Sequence, residues 1–398
     1  MTAMTGLPEG VSAELAEKIV LVRRAIHEHP ELSNREHDTQ ALVWRELTAA
    51  GIDDVKEVAD TGLIATIRGS KGKGRILGLR GDMDALPIQE DTDLPFASKN
   101  AGVMHACGHD SHTAMVLGAT IALHRARADF AGELRCIFQP AEETEPLGGR
   151  QVVESGVLDG VEGILSLHVD PAIDAGKIGV RAGPLLAGGQ EITIRVKGTA
   201  SHAARPHLGA DAVLAACGIV QALQTIASRR IDPLEPVVVT IGKVVAGTAK
   251  NIIADSATIE GTLRVLGEEV RTEVVRLIRE LAEGTARNHG CTAELETSGG
   301  EPVLMNDPGL TDLIRRTGHD LLGADNVVEI ARPSMGSEDF AFYVRAAPVS
   351  MFRLGIRNED LGYTHPLHHP AFAVDETALP IGAAIIVESA RRFLDGKD

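Results

Sequence analysis

Polar clusters recur at the downstream ends of apolar, strand-like runs. Asp82 and Asp84 follow Arg75-Ile-Leu-Gly-Leu, Glu142 and Glu143 follow Leu134-Arg-Cys-Ile-Phe, and His168 follows Gly163-Ile-Leu-Ser-Leu, with His105-Ala-Cys-Gly-His-Asp between the first two. In an open α/β sheet the carboxyl ends of the strands converge on one crevice, so groups far apart in sequence can meet there. Thiol, imidazole and carboxylate gathered at such a place read as a metal site.

The periodicity supports that architecture. Leu15, Ile19, Val22 and Ile26 have the spacing of one helical face, a second helix covers 39–50, and strand-like and helical runs then alternate to about residue 180. This predicts an α/β fold with a mostly parallel sheet flanked by helices. Between about 188 and 300 the rhythm changes to strand 191–197, helix 211–228, strand 237–245, strand 258–265, helix 268–288 and strand 292–297. That order, β-α-β-β-α-β, is a ferredoxin-like unit. The expected organisation is a discontinuous catalytic domain of residues 1–187 and 301–398 with an inserted domain over 188–300.

Composition narrows the partners. With 39 Lys and Arg against 56 Asp and Glu, the formal charge of −17 disfavours nucleic acid and anionic membrane surfaces, both of which reward basic patches. No apolar run approaches the roughly 20 residues of a membrane span, and Met1 to Gly10 has no secretory pattern, so a cytoplasmic location is the expectation. The four cysteines are scattered, which suits a reducing compartment. Cys136, Cys217 and Cys291 lie among apolar neighbours and are expected as buried small hydrophobes. Cys107 differs because histidines flank it.

Within His105-Ala-Cys-Gly-His-Asp-Ser-His, Cys107 and His109 can both face a cation, which supplies the electropositive surroundings a thiolate needs. His112 lies on the same turn. Pro140-Ala-Glu-Glu offers neighbouring carboxylates, one able to ligate while the other takes a proton from water. Asp84 is placed to orient a ligand imidazole, whereas Asp82 can pair with Arg80. His365-Pro-Leu-His-His-Pro adds imidazoles near the C-terminus. In the inserted segment His202 is a candidate for oxyanion stabilisation, and Asn251 and Arg264 for holding a substrate carboxylate.

Together, Arg80-Gly-Asp-Met-Asp-Ala-Leu-Pro, His105-Ala-Cys-Gly-His-Asp-Ser-His-Thr-Ala, Gln139-Pro-Ala-Glu-Glu, Gly198-Thr-Ala-Ser-His-Ala, Ser337-Glu-Asp-Phe and Leu367-His-His-Pro resemble a known family. It is the aminoacylase, hippurate hydrolase and auxin-conjugate hydrolase branch of the dinuclear-metal aminoacylase and carboxypeptidase superfamily. The resemblance runs nearly end to end. It implies a zinc-peptidase-like catalytic domain in which Cys107, His109, Glu143, His168 and His368 hold two divalent metal ions, zinc or manganese, with nickel or cobalt as alternatives. It further implies Glu142 as general base; beside it, the residues read above give Asp84 and His202 as catalytic candidates and Asn251, Arg264 and His112 as substrate-binding candidates. The implied reaction is hydrolysis of an N-acyl amino acid, and the implied assembly is a homodimer made through the inserted domain, with His202 serving the partner subunit's site. The chain departs from the family at Thr144-Glu-Pro-Leu-Gly-Gly, where a glycine-rich stretch is usual, and at Gly81, where alanine is usual. Three rivals remain open: a metal carboxypeptidase or dipeptidase, a non-catalytic metal-binding protein, and a thiol-redox enzyme centred on Cys107.

Overall fold

The computed structural model describes residues 10–397. The chain forms two compact units, one within Met1–Gly183, Met305–Arg332 and Phe342–Asp398, the other Pro184–Leu304 with Pro333–Ala341. Among the described residues no helix is long and apolar enough to cross a membrane.

The first unit is a twisted sheet covered by helices. Strands β1 (Val55–Val58), β2 (Gly62–Arg68), β3 (Ile76–Asp82), β4 (Glu133–Gln139), β5 (Gly163–Asp174) and β6 (Val349–Arg357) take the spatial order β1-β2-β4-β3-β5-β6. The central pairs β3/β4, β3/β5 and β5/β6 are parallel, while β1/β2 and β2/β4 are antiparallel. In this register Asp82 lies opposite Gln139, and Arg80 opposite Ser166, so His168 is level with the carboxyl end of β3. Strand pairing alone therefore brings the carboxyl ends of β3 and β4 level with His168 in the middle of β5.

The flanking helices are α1 (Ala13–Glu28), α2 (His37–Ala49), α3 (His109–Arg125), α4 (Pro308–Leu322) and α5 (Leu379–Leu394). Helix α1 begins where the Ser12 hydroxyl accepts the Leu15 amide, and it buries Leu15, Ile19, Val22 and Ile26 against the core. Helix α3 is apolar or buried on nearly every side, from His109 through Leu123, as expected of a helix enclosed by protein. That enclosure matters because its first turn carries site residues.

The second unit is a four-stranded antiparallel sheet in the order Val237–Ala246, Ser256–Val265, Gly188–Lys197, Thr292–Ser298. Helices Ala212–Leu223 and Glu268–Asn288 close its core around Ile194, Ile259, Ile219 and Ile278. Cys217 corrects one expectation, for it is exposed. Helix Ala212–Leu223 buries Ala212, Ala215, Ala216, Ile219 and Leu223, and position 217 falls off that face.

Candidate metal centre

Gly108 has φ +84° at the start of α3, a left-handed turn that only glycine adopts without cost. It turns the chain so that Cys107 and His109, on either side of it, share one pocket. Cys107 Sγ is 3.5 Å from His168 Nε2 in the middle of β5. His109 Nε2 is 4.0 Å from Glu143 Oε1, which is 3.3 Å from His368 Nε2. His368 reaches this position through a backbone at φ +64°, tied down by its own amide donating to the Ala106 carbonyl.

All five expected ligands thus lie in one cluster. Ligand atoms of Cys107, His109 and His168 fall within 4.8 Å of one another, as do those of Cys107, Glu143 and His368, and those of His109, Glu142 and Glu143. His109 Nε2 and Glu143 Oε1 are buried without a hydrogen-bond partner. A buried polar atom without a hydrogen bond is costly, so two electron-pair donors converging in this way suit a shared cation. The donor set fits divalent transition metals.

The ring nitrogens are oriented for that task. His109 Nδ1 donates to Asp84 Oδ1 at 3.0 Å, and His168 Nδ1 donates to the Val169 carbonyl at 2.7 Å. Each leaves Nε2 as the nitrogen able to ligate a cation. Burial, joined by the neighbouring His112 and Arg353, keeps the His168 pKa well below the ordinary imidazole value, so its lone pair is available. Burial pushes the Cys107 thiol up to about 12, which makes a cation the means of holding it as thiolate. For His109 burial alone favours the neutral ring, but Asp82, Cys107 and Asp84 outweigh it and hold its pKa well above the usual value.

Asp82, His109 and His112 also approach one another, but this group is a hydrogen-bond network. His112 Nδ1 donates to Asp82 Oδ1 at 2.7 Å, and His112 Nε2 accepts the Val169 amide at 2.9 Å. Asp82 Oδ2 accepts from Arg80 Nη1 at 2.7 Å, the pairing anticipated from sequence. His112, expected at the substrate, is buried with both ring nitrogens engaged by protein. The network continues from Arg80 Nε to Gln139 Oε1 at 2.9 Å, which also accepts from the Tyr343 hydroxyl at 3.1 Å. Tyr343 escaped sequence reading, and Gln139 entered it only as the first residue of Gln139-Pro-Ala-Glu-Glu, because nothing local distinguishes a buried tyrosine or glutamine with a distant partner from core filler. His365 and His369 stack on each other with ring centroids 4.2 Å apart, leaving His368 alone of the three against Glu143.

Three expected site residues belong to the second unit. His202 sits on the short strand Ser201–His202, paired with Ile252–Ile253, and its Nδ1 accepts the Ala204 amide at 3.0 Å. The proton therefore resides on Nε2. Asn251 is next to that ribbon, its carbonyl accepting the Ala203 amide at 3.1 Å. Arg264 lies instead on the four-stranded sheet opposite Gly189, with its guanidinium 3.7 Å from Glu301.

Known proteins share this chain's sequence and fold over nearly all of its length. N-acetyl-L-cysteine deacetylase of Bacillus subtilis is 38% identical, covering 96% of this chain and 90% of the relative. IAA-amino acid hydrolase ILR1-like 2 of Arabidopsis thaliana is 41% identical, covering 97% and 87%. A solved dinuclear metal-binding peptidase of family M20 from Bacillus subtilis superposes with a TM-score of 0.84 at 37% identity, covering 96% of this chain and 99% of that one. Residues 78–392 match peptidase family M20/M25/M40, and with such relatives the chain belongs to that family as a metal-dependent hydrolase of its aminoacylase and auxin-conjugate hydrolase branch.

Proposed function

We propose that this protein hydrolyses the amide bond of N-acyl amino acids, with Glu142 as general base and Cys107, His109, Glu143, His168 and His368 holding two divalent cations. The observation that carries the reading is the turn Ala141-Glu142-Glu143, where Glu143 turns a buried oxygen towards both His109 and His368 while its neighbour Glu142 stands beside the same cluster. When bound, the cations supply Lewis-acid polarisation of the substrate carbonyl and a water of lowered pKa. Glu142 accepts a proton from the attacking water and returns it to the departing amine. Asp84 keeps His109 oriented, and His112 with Asp82 keeps Val169 and hence His168 in place. His202, carrying its proton on Nε2, donates to the developing oxyanion, in the partner subunit's site under the family's dimeric arrangement. Asn251 is the better carboxylate anchor of the two candidates, because Glu301 already offsets the charge of Arg264.

Zinc or manganese suits the mixed ligands best, with cobalt and nickel as substitutes. Dimerisation through the second unit is supported by its edge strand Val237–Ala246, which exposes Val238, Val244 and Val245. A cytoplasmic setting agrees with a cysteine ligand kept reduced.

The test is amine release from N-acetyl and N-benzoyl amino acids and from dipeptides, by wild type and Glu142→Gln at equal metal content. Loss of a catalytic base costs about 10²-fold or more, so near-normal turnover of the variant would sink the assignment. Peptide hydrolysis is the second reading, favoured because the solved Bacillus subtilis relative is a peptidase. Faster release from dipeptides than from acyl amino acids would establish it instead.

A further inference from the structure

Two buried carboxylates grip the backbone on either side of Glu142. Asp84 Oδ2 accepts the amide of Glu143 at 3.0 Å and is itself steadied by the Ser33 hydroxyl at 2.7 Å. On the other side Glu36 Oε1 accepts the amide of Ala141 at 2.8 Å and that of Asn34 at 3.1 Å. Glu36 Oε2 accepts the Thr61 hydroxyl at 2.6 Å. Glu36 stands immediately before α2, and its side chain is fully enclosed.

What Glu36 holds is an unfavourable conformation. Ala141 has φ +49°, a region a residue with a Cβ enters only at a cost, and it is buried. Its carbonyl is held as well, accepting the Gly148 amide at 2.8 Å. The turn is packed without slack: a Cβ on Gly62 would lie 2.6 Å from Pro140 Cδ, and one on Gly148 1.8 Å from the Pro140 carbonyl oxygen. The left-handed step at Ala141 is what redirects the chain after β4 so that Glu142 and Glu143 follow at the cluster.

We infer that Glu36 is a positioning residue for the general base, acting by fixing the left-handed Ala141 peptide from which Glu142 projects. This rests on the reading of Glu142 as base. Glu36 touches neither a metal ligand nor the reacting atoms; its effect passes through one backbone amide. It therefore acts on the rate of the chemical step and leaves cation binding to the other side of the turn, where Asp84 operates. A displacement of about 1 Å in a reacting group can cost about 10²-fold in rate.

Three variants test it in the metal-loaded enzyme. Glu36→Leu removes the acceptor at similar bulk and is expected to lower kcat about 30- to 100-fold, with KM changed less than about threefold and cobalt affinity and absorption spectrum retained. Glu36→Gln keeps an oxygen to accept the Ala141 amide, while its amide NH2 donates to the Thr61 hydroxyl oxygen, and it recovers most of that loss. Adding Ala141→Gly to Glu36→Leu recovers at least about fivefold, because glycine adopts the positive φ without help. Should Glu36→Leu not fold, Glu36→Asp, which withdraws the acceptor by one methylene, takes its place with the same readouts. A folded, metal-loaded Glu36→Leu with wild-type kcat overturns the inference, as does a loss of cobalt binding that accounts for the loss of rate. Absence of rescue by Ala141→Gly overturns it too. Glu142→Gln is run alongside: if it abolishes turnover while Glu36→Leu does not, only the positioning role fails, and if it leaves turnover intact, the base assignment fails first.

Discussion

Gly108→Ala is the substitution whose cost is most directly set by the geometry of this site. Two effects add at that position. Alanine at φ +84° carries a backbone cost of about 1–3 kcal/mol. Its Cβ would lie 2.4 Å from Val169 Cγ2, and Val169 is fully buried, so relief requires a shift in a packed core worth about 1–3 kcal/mol. Reduced entropy of the unfolded chain returns about 0.4–1 kcal/mol. Gly102→Ala isolates the first effect, since Gly102 has φ +78° but nothing within 4 Å of the added Cβ. Urea denaturation of the metal-free proteins should therefore show Gly108→Ala less stable than Gly102→Ala by at least about 1 kcal/mol. Val169 lends its carbonyl to His168 and its amide to His112, so its displacement also loosens His168, a proposed ligand. Cobalt affinity should fall about 10- to 100-fold in Gly108→Ala and stay near wild type in Gly102→Ala. Equal stabilities within about 0.5 kcal/mol, or unchanged cobalt affinity, would refute the reasoning that one glycine both turns the chain and protects the support behind His168.

Two further outcomes follow from the titrating groups. In the metal-free protein at neutral pH the Cys107 thiol, pushed up to about 12, and His109, held well above its usual value, both keep protons that a cation must displace. Metal affinity should rise with pH, and calorimetry in buffers of different ionisation enthalpy should register release of more than about one proton per chain; no release would contradict the ligand set. Separately, Asp110 is enclosed with Arg23 Nε at 2.7 Å and His27 Nδ1 at 2.8 Å. Burial opposes the ionised carboxyl, but Arg23 and His27 hold its pKa far below the usual range. A lowered pKa gives stability that is present above about pH 4 and lost as pH falls, whereas the raised pKa of His27 gives stability complete below about pH 6.5 and lost as pH rises. Asp110→Asn should cost about 3–5 kcal/mol at neutral pH and flatten the acid limb in urea denaturation between pH 3 and 8; a cost below about 1 kcal/mol with an unchanged limb would refute this.

Much of this protein can be read from the order of its residues, and the reason is periodicity. Apolar spacing depends only on local geometry, so the face of α1 and the strand-like runs ending at Asp82 and Gln139 show in one dimension, as does the motif chemistry of Cys107, His109 and the paired glutamates. Tertiary structure decides whatever depends on which way a distant side chain turns. Nothing in Ser33-Asn-Arg-Glu36 announces that Glu36 reaches Ala141, more than a hundred residues away, because a buried acid and a surface acid look alike in sequence. His112 shares its first turn with His109, yet Asp82 and the Val169 amide occupy both of its ring nitrogens, and Cys217 lies among apolar residues on a helix but off the face that helix buries. Hydrogen-bond direction and helix rotation are set by packing over long sequence separations, and only the folded chain brings those partners within reach.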